Sequence, residues 1–393
     1  MSSSTEELAP ALAIDARLTE LERGLDLLLN NTPVNAAEAW TDFERSDFAT
    51  APVLRLRPLE FEPDLVRRDL YDLEIENVTD PALHTLFRAK RDEIARQLTA
   101  LEDRDTSRYV YGSLQLYGTV GEPLAAAAME LLELIPPQAP SSSSVTAGAF
   151  AEAARAEFER YRAVYPEFPA SFDVRDDVSE LMVSFGRLLI PETATIRADR
   201  VEPLLHHEVG THVVTYQNGA RQPLQLLTIG LPGYDETQEG LAVLAEYLTG
   251  GLDPRRLRVL AGRVVAVGKM LDGANFLEIF ESLRAEHRIP ARTAWSIASR
   301  VVVGGGSVKD AIYLRGISRI LELIAEGSDL DVLFVGKLAL DHIPLIQDLL
   351  DREVLEKPWV RPRWLDVPGA QERLDRLRAG ASVTDLYEGD VAA

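Results

Sequence analysis

His207 and His212 stand five positions apart in the segment His206-His207-Glu208-Val209-Gly210-Thr211-His212, and that interval restricts the local fold more than any other feature of the chain. On a regular α-helix, residues at i and i+5 lie roughly 140° apart, so two such imidazoles cannot share an ion. The commoner H-E-x-x-H pattern places its histidines about 40° apart on one face. A π-bulge closes i→i+5 and restores a common face, and such bulges favour functional sites. Gly210, inside the interval, eases the distortion. The spacing therefore predicts a histidine-bearing helix over about 199–217 with a bulged turn at its centre.

Two imidazoles and one carboxylate can hold a divalent metal with an open position. The chain has no cysteine, so any metal must use nitrogen and oxygen ligands. Asp235, Glu236, Glu239 and Glu246 fall near one face of a second predicted helix, about 235–248, and spacing alone does not choose among them. Glu239 is taken as the third ligand because Gly240 follows it and permits close backbone approach to the histidine helix. Asp235 and Glu246 are then candidates to hold a ligand imidazole by its other N–H. Glu208, beside the first ligand, is the candidate base for water activated by the metal. His206 is left open: it orients a neighbour, touches substrate or faces solvent. A lone histidine is more often a hydrogen-bonded or exposed side chain than a ligand. The full H-E-x-x-x-H pattern, however, arises by chance on the order of once in a hundred such chains.

The 393 residues carry a net charge of −22, which argues against sequence-independent binding to nucleic acid or to an anionic membrane. No run approaches a membrane span, and the first residues lack the basic and apolar regions of a secretory signal. A cytoplasmic protein is the expectation. Residues 9–31 read as an amphipathic helix, Asp80 to Ala100 as a helix with Asp80 as N-cap and Pro81 first, and Glu122–Ile135 as a third. Pro136 to Ser144 reads as a linker. The expected division is a helical N-terminal region, 1–140; a metallopeptidase catalytic region, 141–365; and a C-terminal tail, 366–393, partly disordered over its last dozen residues. Glu180–Ser184 and Arg187–Ile190, split by Phe185-Gly186, read as a hairpin. Asn218-Gly219 reads as the left-handed end of the histidine helix. The fold class expected is α+β, predominantly helical and zinc metallopeptidase-like, with a small antiparallel sheet beside the H-E-x-x-x-H helix.

The histidine segment, Asn218-Gly219 with Gln222-Pro223-Leu224, and Gln238-Glu239-Gly240-Leu241-Ala242 together resemble the QEGLA-motif proteins. Bacterial members carry the description flavohaemoglobin expression-modulating QEGLA motif protein, and the family is related to the microtubule-associated tyrosine carboxypeptidases. The likeness extends to Tyr109-Val110-Tyr111-Gly112 and to Lys309-Asp310-Ala311-Ile312-Tyr313-Leu314-Arg315-Gly316, and covers roughly residues 20–365. It implies one zinc ion on His207, His212 and Glu239, Glu208 as catalytic acid/base, and removal of one C-terminal residue from a peptide or protein.

A carboxypeptidase needs a cation for the terminal carboxylate, and arginine suits it by bidentate geometry. Arg315 is the first candidate, Lys309 the second and Arg300 the third, with Tyr313 as a hydrogen-bond donor to the oxyanion. Two other readings use the same ligands. One is an Fe(II) two-His-one-carboxylate oxidoreductase, which has no need of Glu208. The other is a non-catalytic regulatory protein whose structural metal is closed by His206 or Asp235.

Overall fold

The computed structural model describes residues 5–138, 143–169, 171–178 and 180–387. The protein is predominantly helical, and its chain divides into two compact units. One draws on the chain before residue 17, on 138–253 and on 316–387; the other holds 17–137 and 254–315. The linker expected at Pro136 to Ser144 lies partly outside the described residues, as does the end of the C-terminal tail. Within that tail, Ala370–Arg378 is a helix that buries Ala370, Leu374 and Leu377.

The unit containing the histidine segment is built around strands β1 (Ser144–Thr146), β2 (Ser171–Arg175), β3 (Met182–Ser184), β4 (Arg187–Pro191) and β5 (Thr195–Arg197). The pair β3–β4 is the expected antiparallel hairpin, with Ser184 opposite Arg187. Phe185 and Gly186 at its tip both have positive φ, 45° and 72°, as a two-residue primed turn requires. The sheet is nevertheless mixed rather than purely antiparallel: β2 adds to the other side of β4 in parallel. Short antiparallel strands β1 and β5 form a separate pair. A Cβ on Gly186 would fall 2.3 Å from the Tyr216 ring, so the hairpin tip lies against the histidine helix.

Helix Ala147–Val164 starts at Thr146, whose hydroxyl accepts from Ala149 N–H. Its Phe150, Ala154, Phe158 and Tyr161 pack with Leu188 and Ile190 of β4 and with Leu205, Val209 and Val213 of the histidine helix. All are buried, so the histidine helix is fixed from behind by one apolar core.

In the other unit, helix Pro81–Glu102 begins as read from the sequence. Asp80 accepts hydrogen bonds from Ala82 N (3.0 Å) and Leu83 N (3.1 Å), with Pro81 in the first turn. Helix Glu122–Leu134 packs on Pro254–Leu271. Arg258 of the latter donates to the carbonyls of Leu132 (2.8 Å) and Ile135, satisfying the end of its neighbour. Lys90 is fully buried between Glu22 (2.8 Å) and Glu93 (2.7 Å). The helix expected over 9–31 instead breaks into Thr5–Leu25 and Leu27–Asn30. Asp26 takes a left-handed conformation between them and caps Leu29 N–H, and Leu28 is exposed. No helix among the described residues is long and apolar enough to cross a membrane.

Candidate metal centre

The histidine helix runs from Val201–His207 in α geometry through a π segment, Glu208–Val213, and back to α at Val214–Arg221. The π segment brings His207 and His212 to one side, with ring centroids 5.2 Å apart and planes at 78°. The helix does not end at Asn218-Gly219 as expected. Asn218 is buried within it, donating to Phe334 O (2.7 Å) and Val360 O (2.8 Å) and accepting from Val360 N (2.8 Å). Gly219 serves close approach rather than a left-handed turn: an added Cβ would stand 2.2 Å from Leu227 O.

The third residue comes from helix Tyr234–Leu248, which packs along the α and π parts of the histidine helix. Glu239 Oε2 lies 3.7 Å from His207 Nε2 and 4.0 Å from His212 Nε2. One donor atom from each of these three residues falls within 4.8 Å of the others. Gly240 does permit close approach, but to another partner than expected. Its Cβ would stand 2.5 Å from the Gly316 carbonyl carbon, and a Cβ on Gly316 would stand 2.1 Å from Glu236 O. The two glycines let helix Tyr234–Leu248 cross helix Ile312–Ala325 backbone to backbone.

Each imidazole is held by its other nitrogen. His207 Nδ1 bonds Glu246 Oε1 at 2.8 Å, and Glu246 Oε2 accepts from Arg200 NH2 at 2.7 Å. His212 Nδ1 lies 3.4 Å from Gln238 Oε1, which also accepts from Thr215 Oγ1 at 2.7 Å. Both Nε2 atoms are thereby turned toward Glu239. Of the two candidates for this role, Glu246 fills it at His207. Gln238 and Arg200 were missed. Gln238 had one available signal, its place next to Glu239; Arg200 had none at a separation of 46 residues.

Burial lowers the proton affinity of both rings, with opposite net results. At His207 the bond to Glu246 and the charges of Glu208, Glu246 and Glu239 outweigh burial and raise the pKa. At His212 burial prevails over Glu239, and the pKa falls to about 4, which keeps that ring neutral and its Nε2 lone pair available at neutral pH. Glu239 Oε2 is buried and accepts no hydrogen bond from any of the described residues. A carboxylate oxygen buried without a donor is costly unless a cation compensates it. The donor set, two imidazole nitrogens and one carboxylate oxygen, fits zinc in a three-ligand site. Glu208 is buried, with Oε1 4.0 Å from His207 Nε2.

The profile of one protein family matches residues 41–382, and its description is microtubule-associated tyrosine carboxypeptidase. The chain belongs to that family. Membership points to carboxypeptidase-type chemistry in general terms. Among curated proteins, none matches the chain significantly.

The remaining expected site residues lie in 254–315, within the other compact unit. Arg315 donates to Thr119 O (3.0 Å) and Tyr117 O. Lys309 Nζ lies 5.0 Å from the centre of the Tyr117 ring, and the Tyr313 ring carries Arg263 at 4.5 Å and Arg256 at 5.7 Å. Arg300 is engaged with Asp310 through its Nε and NH2. Its role here is to neutralise that buried carboxylate. Neither His206 nor Asp235 joins the group of candidate ligands among the described residues.

Proposed function

We propose that this protein is a zinc-dependent carboxypeptidase that hydrolyses the last peptide bond of a peptide or protein. The reading is carried by one observation: the Glu239 oxygen left without a donor among the described residues, facing two imidazoles whose opposite nitrogens are already occupied. His207, His212 and Glu239 would hold the ion. Zinc there supplies a Lewis acid that polarises the scissile carbonyl and makes water acidic near neutral pH.

Glu208 takes a proton from the attacking water and delivers it to the leaving amine, so that one water is consumed and two products, a shortened chain and a free amino acid, are released. Its burial beside His207 suits this work, since a carboxylate shielded from bulk solvent exchanges protons with the reacting groups.

A peptide library varied at its C-terminus, incubated with the protein and read by mass spectrometry, tests the reaction. Loss of a single terminal residue is expected. Internal cuts, or no cleavage by zinc-loaded protein, would overturn the exopeptidase reading.

A further inference from the structure

A π turn breaks the hydrogen-bond register of a helix, and the carbonyl it displaces needs another donor if buried. Here Val214 N–H bonds Val209 O and Thr211 O, not Gly210 O, the carbonyl that a regular α-helix would offer it. Gly210 is buried and lies between the two histidines. Trp364, 154 positions later in the short 3-10 turn Arg363–Leu365, donates its indole N–H to Gly210 O at 3.1 Å. Trp364 is fully buried, and Phe334 stacks edge-on against it at 5.6 Å. The fit leaves no space for a side chain at 210: a Cβ there would stand 2.8 Å from Trp364 Cδ1 and 3.5 Å from Tyr161 Oη. The segment carrying Trp364 is itself anchored. Val360 bonds both ways with Asn218, and Arg363 N donates to Tyr161 Oη at 3.0 Å.

We infer that Trp364 is a positioning residue for the metal centre. Its indole N–H takes the carbonyl displaced at Gly210, holds the helix in the π register, and so keeps His207 and His212 converged on one ion. Relaxation of that turn to α geometry would return the two rings to roughly 140° apart, and the site would lose one nitrogen ligand. Both residues flanking the contact are explained together. Position 210 is glycine because the indole stands where its side chain would be, and position 364 is tryptophan because a buried carbonyl there needs an N–H.

The inference rests on the metal reading above, and the test separates the two. Zinc affinity by chelator competition and the visible d–d spectrum of the cobalt(II)-substituted protein are measured for wild type, W364F and G210A, with the melting temperature of each metal-free form. W364F removes the N–H and keeps an aromatic ring; G210A displaces the indole from the other side. Both are expected to fold, to bind zinc about tenfold more weakly or worse, and to show an altered cobalt spectrum. If wild type binds no zinc, the metal reading fails. If wild type binds and both variants keep its affinity and spectrum, the role of Trp364 is overturned while the metal reading stands. Failure of both variants to fold would also overturn it, in favour of Trp364 as a core residue only.

Discussion

His207 Nδ1 and Glu246 Oε1 meet at 2.8 Å in the protein interior, 39 positions apart in the chain. Glu246 is fully buried and also takes Arg200 NH2 at 2.7 Å, while Arg200 NH1 donates to Gly251 O at 2.9 Å. A continuous line of bonds thus runs from a backbone carbonyl to the ring. It places the ring proton on Nδ1 and leaves Nε2 to face Glu239.

Loss of this line should weaken metal binding before it affects the fold. E246Q, which keeps a hydrogen-bond acceptor but not the charge, is expected to lower zinc affinity about tenfold, and E246A by up to about 100-fold. Chelator competition measures both. Equal affinity in wild type and E246A would show that Glu246 serves only Arg200.

Glu208 should act on turnover alone. E208Q is expected to retain one zinc per chain and to lose a factor of about 10²–10⁴ in kcat, by the usual worth of a general base. Steady-state kinetics beside metal analysis decides this. Full activity in E208Q would remove Glu208 from the mechanism.

Acid stability should depend on Asp310. Burial works against its ionised form, but Arg300, Arg263 and Lys309 prevail and bring its pKa down to about 2. A carboxylate depressed in the folded state stabilises above its unfolded pKa of about 4, and that contribution is lost as pH falls from about 4 to 2. D310N is expected to cost about 3–5 kcal/mol at pH 7, because the arginines lose their buried partner. Its melting temperature should then fall less steeply than wild type between pH 4 and 2. Parallel curves for the two proteins would rule this out.

Asn218 should matter to stability without touching metal or substrate directly. N218A removes three buried bonds and leaves backbone groups of Phe334 and Val360 unpaired, at about 1–3 kcal/mol for each such group. A loss on the order of 3 kcal/mol in urea unfolding is expected. A change below about 0.5 kcal/mol would show that water replaces these bonds.

What could be read from the sequence was local. The Asp80-Pro81 start, the Phe185-Gly186 hairpin tip and the bulge implied by H-E-x-x-x-H each follow from a few adjacent residues. What could not be read depends on partners distant in sequence. Asn218-Gly219 has the composition of a helix end, but Val360, Phe334 and Leu227 set its use. Gly240 announces close packing without naming Gly316 as the partner. A parallel neighbour for β4 leaves no mark in a short apolar strand, because pairing direction is set by the path of the chain. Trp364 likewise reads as an ordinary buried aromatic until Gly210 is placed against it.

Metal content of protein purified without added metal, compared between wild type and H212A, tests most directly whether the π turn builds a three-residue ion site. One zinc per chain in wild type and a loss of tight binding in H212A are expected. A metal-free wild type, or an H212A variant that retains stoichiometric zinc, would contradict the site.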